Sequence, residues 1–208
     1  MNMASGLLQM AFPRRTWNVK TSRREVFLTF DDGPTPEITE WTLDQLAKYK
    51  AKATFFCIGK NVKKYPDLFK RCINENHSIG NHLYAHENGW KTPTTNYLSS
   101  VKKTEQVFLE QDIITHLLRP PYGKMSQQQA AQLTNKGYEV IMWDVLSMDY
   151  SRKITPERCL HRAVKDIQKG SIVVFHDSVK ASTNMQYALP QLLEQFSKKG
   201  FTFKALPQ

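Results

Sequence analysis

A chain of 208 residues, 40% of them hydrophobic and 11% aromatic, suffices for one domain with a substantial core and is too apolar to be disordered. Its formal charge of +10 predicts an anionic partner, a membrane surface or an acidic glycan, while the lack of an RNP motif, zinc finger or helix-turn-helix excludes a recognisable nucleic-acid reader. No apolar run is long enough to span a membrane, and three cysteines at unrelated spacings (Cys57, Cys72, Cys159) form neither a disulfide framework nor a zinc finger.

The first residues, MNMASGLLQMAFPRRTW, carry a short apolar patch over Leu7–Phe12 without a basic n-region or a long h-region. No cleaved leader is expected, and the reading is cytoplasmic, with attachment to a membrane surface as the variant that the patch and the basic charge permit. Beyond it, apolar runs of strand length alternate with longer amphipathic stretches. Strands are expected at Glu25–Phe30, Ala53–Ile58, Ser78–His82, His116–Arg119, Tyr138–Asp144, Ser171–His176 and Phe201–Ala205. Helices are expected near Pro36–Tyr49, Val62–Asn74, Tyr97–Glu110, Gln127–Lys136, Pro156–Gln168 and Gln186–Lys199. Thr35-Pro36-Glu37 and Thr155-Pro156-Glu157 each read as N-cap, proline at N1 and acid in the first turn. Lys136-Gly137, Lys169-Gly170 and Lys199-Gly200 repeat one helix-to-strand joint, with the glycine where a helix must stop.

This is a βα repeat with seven strand candidates, which predicts an α/β fold with a parallel sheet, open or closed into a barrel. Parallel strands gather their chemistry at their C-terminal ends. Asp31-Asp32 follow the first strand, and His82, Arg119, Asp144 and His176 end the third to sixth, so these polar residues are expected on one rim.

His82 and His86 stand four apart in NHLYAHE, a workable metal pair when a carboxylate joins it. Asp32 supplies one, giving a two-histidine, one-carboxylate set with open coordination positions. Zinc suits such a set; cobalt, nickel or iron also fit. The site can acidify a bound water and polarise a carbonyl. In FLTFDDGPTP one aspartate then binds the ion while its neighbour, Asp31, stays free to act as base. Both are expected in the turn after the strand, where Gly33-Pro34 lets them face the rim.

TFDDGP at Thr29–Pro34, HxxxH at His82–His86, RPPY at Arg119–Tyr122, DY at Asp149-Tyr150 and VFHD at Val174–Asp177 stand in this order along the chain. Together they resemble the NodB-like polysaccharide deacetylases, carbohydrate esterase family four, over about Val26 to Leu206. The resemblance implies a distorted (β/α) barrel of about seven strands, with residues 1–21 an N-terminal extension and 22–208 the catalytic domain. It implies metal-dependent removal of N-linked acetyl groups from an N-acetylated sugar or polysaccharide: a peptidoglycan, a chitin-like oligomer or a lipid-linked glycan. Carried over by position, Asp31 resembles the general base and Asp32, His82 and His86 the metal ligands. Arg119 resembles the arginine that holds the base, and the Tyr122 N–H the second oxyanion donor. His176 matches the general acid and Asp149 its carboxylate partner.

Three positions depart from the family pattern. Leu83 replaces a serine or threonine after the first ligand histidine, Tyr150 a tryptophan, and Val174 a leucine. Tyr150 and Val174 are expected to adjust the acetyl pocket or the sugar platform, and Trp90 is a candidate for stacking on a sugar face. His77, His116 and His161 are read as structural. Cys57 is read as a buried hydrophobe that faces the rim, Asp144 as a neighbour of the site, Asp177 as a turn residue, and Asp177–Tyr187 as a loop or lid. The competing readings are a metal-containing carbohydrate-binding barrel without turnover, a deformylase on a lipid-linked sugar, and a non-haem iron oxygenase with the same ligand types.

Overall fold

The computed structural model describes residue 12 and residues 14–207. The patch Leu7–Phe12 therefore lies, apart from Phe12, outside the described residues. In chain order the elements are β1 (Arg15–Thr16), β2 (Glu25–Asp31), α1 (Ile38–Lys48), β3 (Ala53–Cys57), α2 (Gly59–Lys64), α3 (Pro66–Asn74), β4 (Ser78–Asn81) and α4 (Thr94–Leu109). There follow β5 (Leu117–Leu118), a 3₁₀ turn (Pro121–Gly123), α5 (Gln127–Asn135), β6 (Glu139–Ile141), β7 (Val145–Leu146), α6 (Pro156–Val164), β8 (Ile172–His176), α7 (Ser182–Lys198) and β9 (Thr202–Phe203). The sheet runs β1-β6-β5-β4-β3-β2-β8-β7, with β9 added to β2, and every strand pair is parallel.

All seven expected strands are present, one of them divided. Tyr138–Asp144 becomes β6, which pairs with β5, and β7, which pairs with β8. One stretch of chain thus touches both ends of the strand series, as a barrel requires. β1, not anticipated, lies against β6 with Arg15 opposite Val140. Two residues carry too little pattern to be read as a strand.

Strand alternation explains what faces where. In β2, Val26, Leu28 and Phe30 join the main core under the helices, whereas Phe27 joins a second apolar group with Phe56 of β3 and Ile172 of β8. Thr29 and Asp31 therefore continue the inward face above Phe27. In β8 the same period carries Ile172, Val174 and His176. The register places Phe27 opposite Ile172, Thr29 opposite Val174 and Asp31 opposite His176. A stack of inward side chains thus rises from apolar to ionisable toward the strands' C-terminal ends. Cys57 follows Phe55 on the outward face and is buried in the main core, so it does not face the rim as expected.

Two helix starts differ from the sequence reading. α1 begins at Ile38, with Glu37 in left-handed backbone at its N-cap and the Glu40 carboxylate receiving the Glu37 N–H, so Pro36 stays in the preceding turn. Val62–Asn74 divides into α2 and α3 because Pro66 cannot continue a helix and instead starts one. Thr155 does cap α6, accepting the Arg158 N–H. Gly137, Gly170 and Gly200 take φ of 87°, 83° and 75°; Gly137 and Gly200 make the left-handed turn just past α5 and α7, whereas α6 already ends at Val164 and Gly170 turns the chain into β8.

Candidate active site

Asp31 closes β2 rather than lying in the turn after it, and this puts its carboxylate on the inward face. Asp32 follows at φ 82°, a left-handed backbone that swings its side chain back over the same rim. This turn is tied down from three sides. The Asp177 N–H donates to the Asp31 carbonyl at 3.1 Å, and the Asp177 carboxyl accepts the Gly33 N–H at 3.0 Å. Asn61 Nδ2 donates to the Asp32 carbonyl at 2.8 Å. A Cβ on Gly33 would lie 2.0 Å from the Asp177 carboxyl oxygen, so only glycine admits this approach.

Arg119, fully buried, reaches across the barrel beneath the rim. Its Nη1 donates to Asp31 Oδ1 at 2.8 Å and to Thr29 Oγ1 at 2.7 Å; its Nη2 and Nε donate to the carbonyls of Met142 and Ile141. The guanidinium lies over the Phe56 ring, 4.2 Å from its centroid. Because the arginine is held by backbone and stacking as well as by charge, it fixes where Asp31 points.

Three donors converge beside this pair. His82 Nε2 lies 3.7 Å and His86 Nε2 3.2 Å from Asp32 Oδ1, and all three ligand atoms fall within 4.8 Å of one another. His82 Nδ1 sits 2.7 Å from the Arg119 carbonyl, which can only accept. The proton is therefore on Nδ1 and the lone pair of Nε2 faces Asp32. Burial pushes the His82 imidazole down to about 4, so it is neutral at pH 7. Burial would raise the Asp32 carboxyl, but the His86 contact and the neighbouring histidine charges hold it well below the usual carboxylate range. Asp32 Oδ1 is nonetheless a buried acceptor without a hydrogen-bond partner. An ionised oxygen and an outward lone pair cannot satisfy each other. A cation satisfies both, and the donor set is one that zinc and related divalent ions accept.

On the opposite side, His176 ends β8. Its Nδ1 donates to Asp149 Oδ1 at 2.8 Å and its backbone N–H to Asp149 Oδ2 at 2.7 Å. Asp149 is buried, also receives the Tyr150 N–H, and has its carbonyl held by Asn184 Nδ2. Burial would lower the His176 imidazole, but the charge and hydrogen bond of Asp149 outweigh it and push it up to about 9.

Asp31, Asp32, His86, Tyr122, Val174 and His176 share a cavity of about 500 Å³, with Trp143, Leu146 and Tyr150 on its apolar side. His82 stands beneath it. Leu83 (φ 63°), His86 (φ 60°), Tyr122 (φ 60°) and Met148 (φ 59°) join Asp32 in left-handed backbone. Five such non-glycine residues on the rim loops mark conformational strain gathered at one place, on the order of 1–3 kcal/mol each. Leu83 turns away from the ions' side of the loop into a buried apolar group with Tyr97, Leu118 and Met142, so no hydroxyl takes the place expected beside the ligands.

Of the residues singled out from sequence, the structure gathers the four ionisable partners, the three prospective ligands, Tyr122, Tyr150 and Val174 around this cavity. Trp90 is 68% exposed and is not part of the cavity wall; it stands outside it, with Lys124 Nζ 4.9 Å from its ring centroid. Asp144 is a correction. It precedes β7 and accepts the Ile172 N–H and the Ser171 hydroxyl at the beginning of β8, the opposite end of that strand from His176. Burial raises its carboxyl to about 6, but it serves the barrel's closure rather than the rim. His77, as read, is structural: its Nδ1 accepts the Ala53 N–H. Asp177, read as a turn residue, is buried and holds the aspartate turn. Asn61, Thr29 and Asn184 also support the site and were not singled out; their partners are 29 to 144 residues away in sequence, beyond any local pattern. Of Asp177–Tyr187, residues 177–181 form a short turn and Ser182 to Tyr187 are already the start of α7, so the stretch is not a loop or lid.

Comparison with known proteins agrees with this geometry. Residues 18–141 match the family model described as polysaccharide deacetylase. A peptidoglycan-N-acetylglucosamine deacetylase of Bacillus cereus is 32% identical over 89% of this chain and 68% of its own length. A chitooligosaccharide deacetylase of Sinorhizobium fredii is 28% identical over 96% of this chain and 98% of its own. A crystal structure of a peptidoglycan N-acetylglucosamine deacetylase superposes with a TM-score of 0.88 at 31% identity, covering 93% of this chain and 91% of that one. The parallel barrel, the family match over more than half the sequence and these relatives establish that the chain belongs to the polysaccharide deacetylase family, hydrolases that remove N-acetyl groups from carbohydrates.

Proposed function

We propose that this chain hydrolyses the acetamide of an N-acetylated glycan, with Asp32, His82 and His86 holding one divalent cation, Asp31 acting as general base and His176 as general acid. The observation that carries the reading is the partnerless, ionised Asp32 Oδ1 facing two imidazole nitrogens, between two separately anchored proton-handling groups. Zinc fits two imidazoles and one carboxylate best, ahead of cobalt, nickel and iron. When bound, the cation supplies Lewis acidity for the acetamide carbonyl and for a water.

The chain's own residues do the rest. Asp31, aimed by Arg119, accepts the proton of the attacking water. The Tyr122 backbone N–H donates to the oxygen that gains charge as the carbonyl becomes tetrahedral. An amine leaves only when protonated, so His176 delivers a proton through Nε2, while Asp149 fixes Nδ1 and stabilises the imidazolium. Val174, Tyr150 and Leu146 form an apolar wall suited to an acetyl methyl group. Trp90, exposed outside the cavity, is positioned to meet a sugar further along the glycan.

Peptidoglycan N-acetylglucosamine and chito-oligosaccharides are the substrates named for the relatives, and both are N-acetylated glucosamine polymers in kind; the same class is proposed here. The formal charge of +10 fits an anionic partner, an acidic glycan or a lipid headgroup surface. A cytoplasmic location suits only a soluble or lipid-linked glycan; a wall polymer requires export. No helix among the described residues is long and apolar enough to cross a membrane.

The test separates base from ligand. Asp31→Asn should keep about one metal ion per chain and lose acetate release, whereas His82→Ala should lose both. Wild-type rates in Asp31→Asn would reject the assigned base.

A further inference from the structure

The cavity does not end at the catalytic groups. On one side it continues through Asp32 and His86 into a groove of about 600 Å³ that carries Lys60, Lys64 and Tyr65. On the other it continues past Lys180 into a second groove of about 650 Å³ that carries Arg152. Lys180 borders all three spaces, and Lys124 stands in the central one. The cleft thus has five cationic side chains along its length. Among the described residues its only carboxylates are Asp31 and Asp32, the first paired with Arg119 and the second facing two imidazoles.

Among the described residues none of the five cations pairs with a carboxylate. Three of them instead rest on aromatic rings: Lys64 on Tyr65 at 4.9 Å, Lys180 on Tyr150 at 5.6 Å and Lys124 on Trp90 at 4.9 Å. Lack of a carboxylate partner is by itself ordinary in this chain, where only Lys165 and Lys198 of the described lysines have one; what sets these five cations apart is that they gather along one cleft. Here the ammonium groups are left free and are backed by rings of the kind on which sugars stack.

We infer that the cleft selects an acidic glycan, with the groove of Lys60, Lys64 and Lys180 receiving a carboxylate or phosphate carried on a sugar next to the one that loses its acetyl group. This deepens the deacetylase reading and rests on it. A membrane surface is the weaker match, because these cations line concave grooves continuous with the catalytic cavity rather than a convex face. The anion meets Lys60 and Lys64 in a groove that Asp32 also borders, and binding energy is gained on a sugar other than the one that reacts.

Acetate release from the metal-loaded enzyme tests this on three glycans of equal length: a neutral N-acetylglucosamine oligomer, one bearing carboxylates on alternate sugars and one bearing phosphates. The readout is the ratio of kcat/KM on acidic to neutral substrate. A ratio of about ten or more at low salt, collapsing toward one in Lys60→Gln/Lys64→Gln and again in 0.5 M salt, is expected for two or three exposed ion pairs. The carboxylate and phosphate arms identify which anion is read. A ratio near one in the wild type, or one unmoved by the double substitution, overturns the inference while leaving the deacetylase reading intact. Loss of sedimentation with phosphatidylglycerol vesicles in the double variant, together with an unchanged glycan ratio, assigns the patch to membranes and also overturns it. No acetate from any glycan would overturn the deacetylase reading, and this inference with it.

Discussion

Asp149→Asn removes the charge that keeps His176 protonated while changing almost no volume. In the native site burial lowers the imidazole, and Asp149 reverses this and pushes it up to about 9, against 6.5 for an ordinary histidine. Without the carboxylate, burial lowers the imidazole while the charges of Asp31 and Asp32 still raise it, so the variant's value falls back toward 6.5. The gap of about 2.5 pH units corresponds to about 3.4 kcal/mol of preference for the charged form. At pH 7.5 the imidazolium then drops from about 97% of molecules to about 9%. Acetate release should fall about tenfold at pH 7.5, by a few hundred-fold above pH 9, and by less than about twofold at pH 6. A bound dication repels the imidazolium and lowers both values together, so the separation between them survives. The assay is a pH profile of kcat/KM from 6 to 10, with metal content and melting temperature measured alongside, because one of the two Asp149 oxygens becomes a donor facing a His176 N–H. A loss equal at every pH, or an alkaline limb that does not move, would refute the charge-support role of Asp149.

Other residues give sharp outcomes. Asp177→Ala leaves the Gly33 N–H and the Thr39 hydroxyl without their buried acceptor and should cost about 2–5 kcal/mol with weakened metal binding. Because burial raises the Asp177 carboxyl to about 8, it is protonated at neutral pH and Asp177→Asn should be far milder; equal damage from both would contradict that. Leu83→Ser, which introduces the hydroxyl of the family pattern, should destabilise by about 2–4 kcal/mol in urea unfolding, because Leu83 is packed in a buried apolar group. Finally, with metal removed, stability should decline as pH rises. His176 has a raised folded-state value, so its contribution is complete below 6.5 and is lost as pH passes about 9, and Asp177, raised to about 8, acts in the same direction. A melting temperature higher at pH 9 than at pH 6.5 would contradict this.

Much of the barrel was legible because its repeats are local. Lys-Gly joints, apolar runs and the proline of Thr155-Pro156 each report a boundary within a few residues, and the structure places strands or helix ends there. Where local signals competed, the reading slipped. Glu37 takes the N-cap in a capping box with Glu40, displacing the Thr35-Pro36 pattern, and Pro66 divides what looked like one helix. The rim followed from one rule, that parallel strands present chemistry at their C-terminal ends, and it gathered Asp31, His82, Arg119 and His176. It failed for Asp144 because β6 and β7 share one stretch of chain, so a residue that seemed to end a strand begins the next. The roles of Asp177, read only as a turn residue, and of Asn61 and Thr29 were not legible because they exist only across the folded barrel. Asp177 meets Gly33 from 144 positions away. The same holds for the row of cations in the cleft: Lys60 and Lys64 on α2 and Lys124, Arg152 and Lys180 on three other segments look like scattered surface charge until folding aligns them.

The most direct measurement is an anomalous diffraction map of crystals grown with zinc, recorded at the zinc edge. A single strong peak should lie about 2.0–2.2 Å from Asp32 carboxylate oxygen, His82 Nε2 and His86 Nε2 together. A map with no peak among these atoms, or with zinc bound only elsewhere on the chain, would contradict the account.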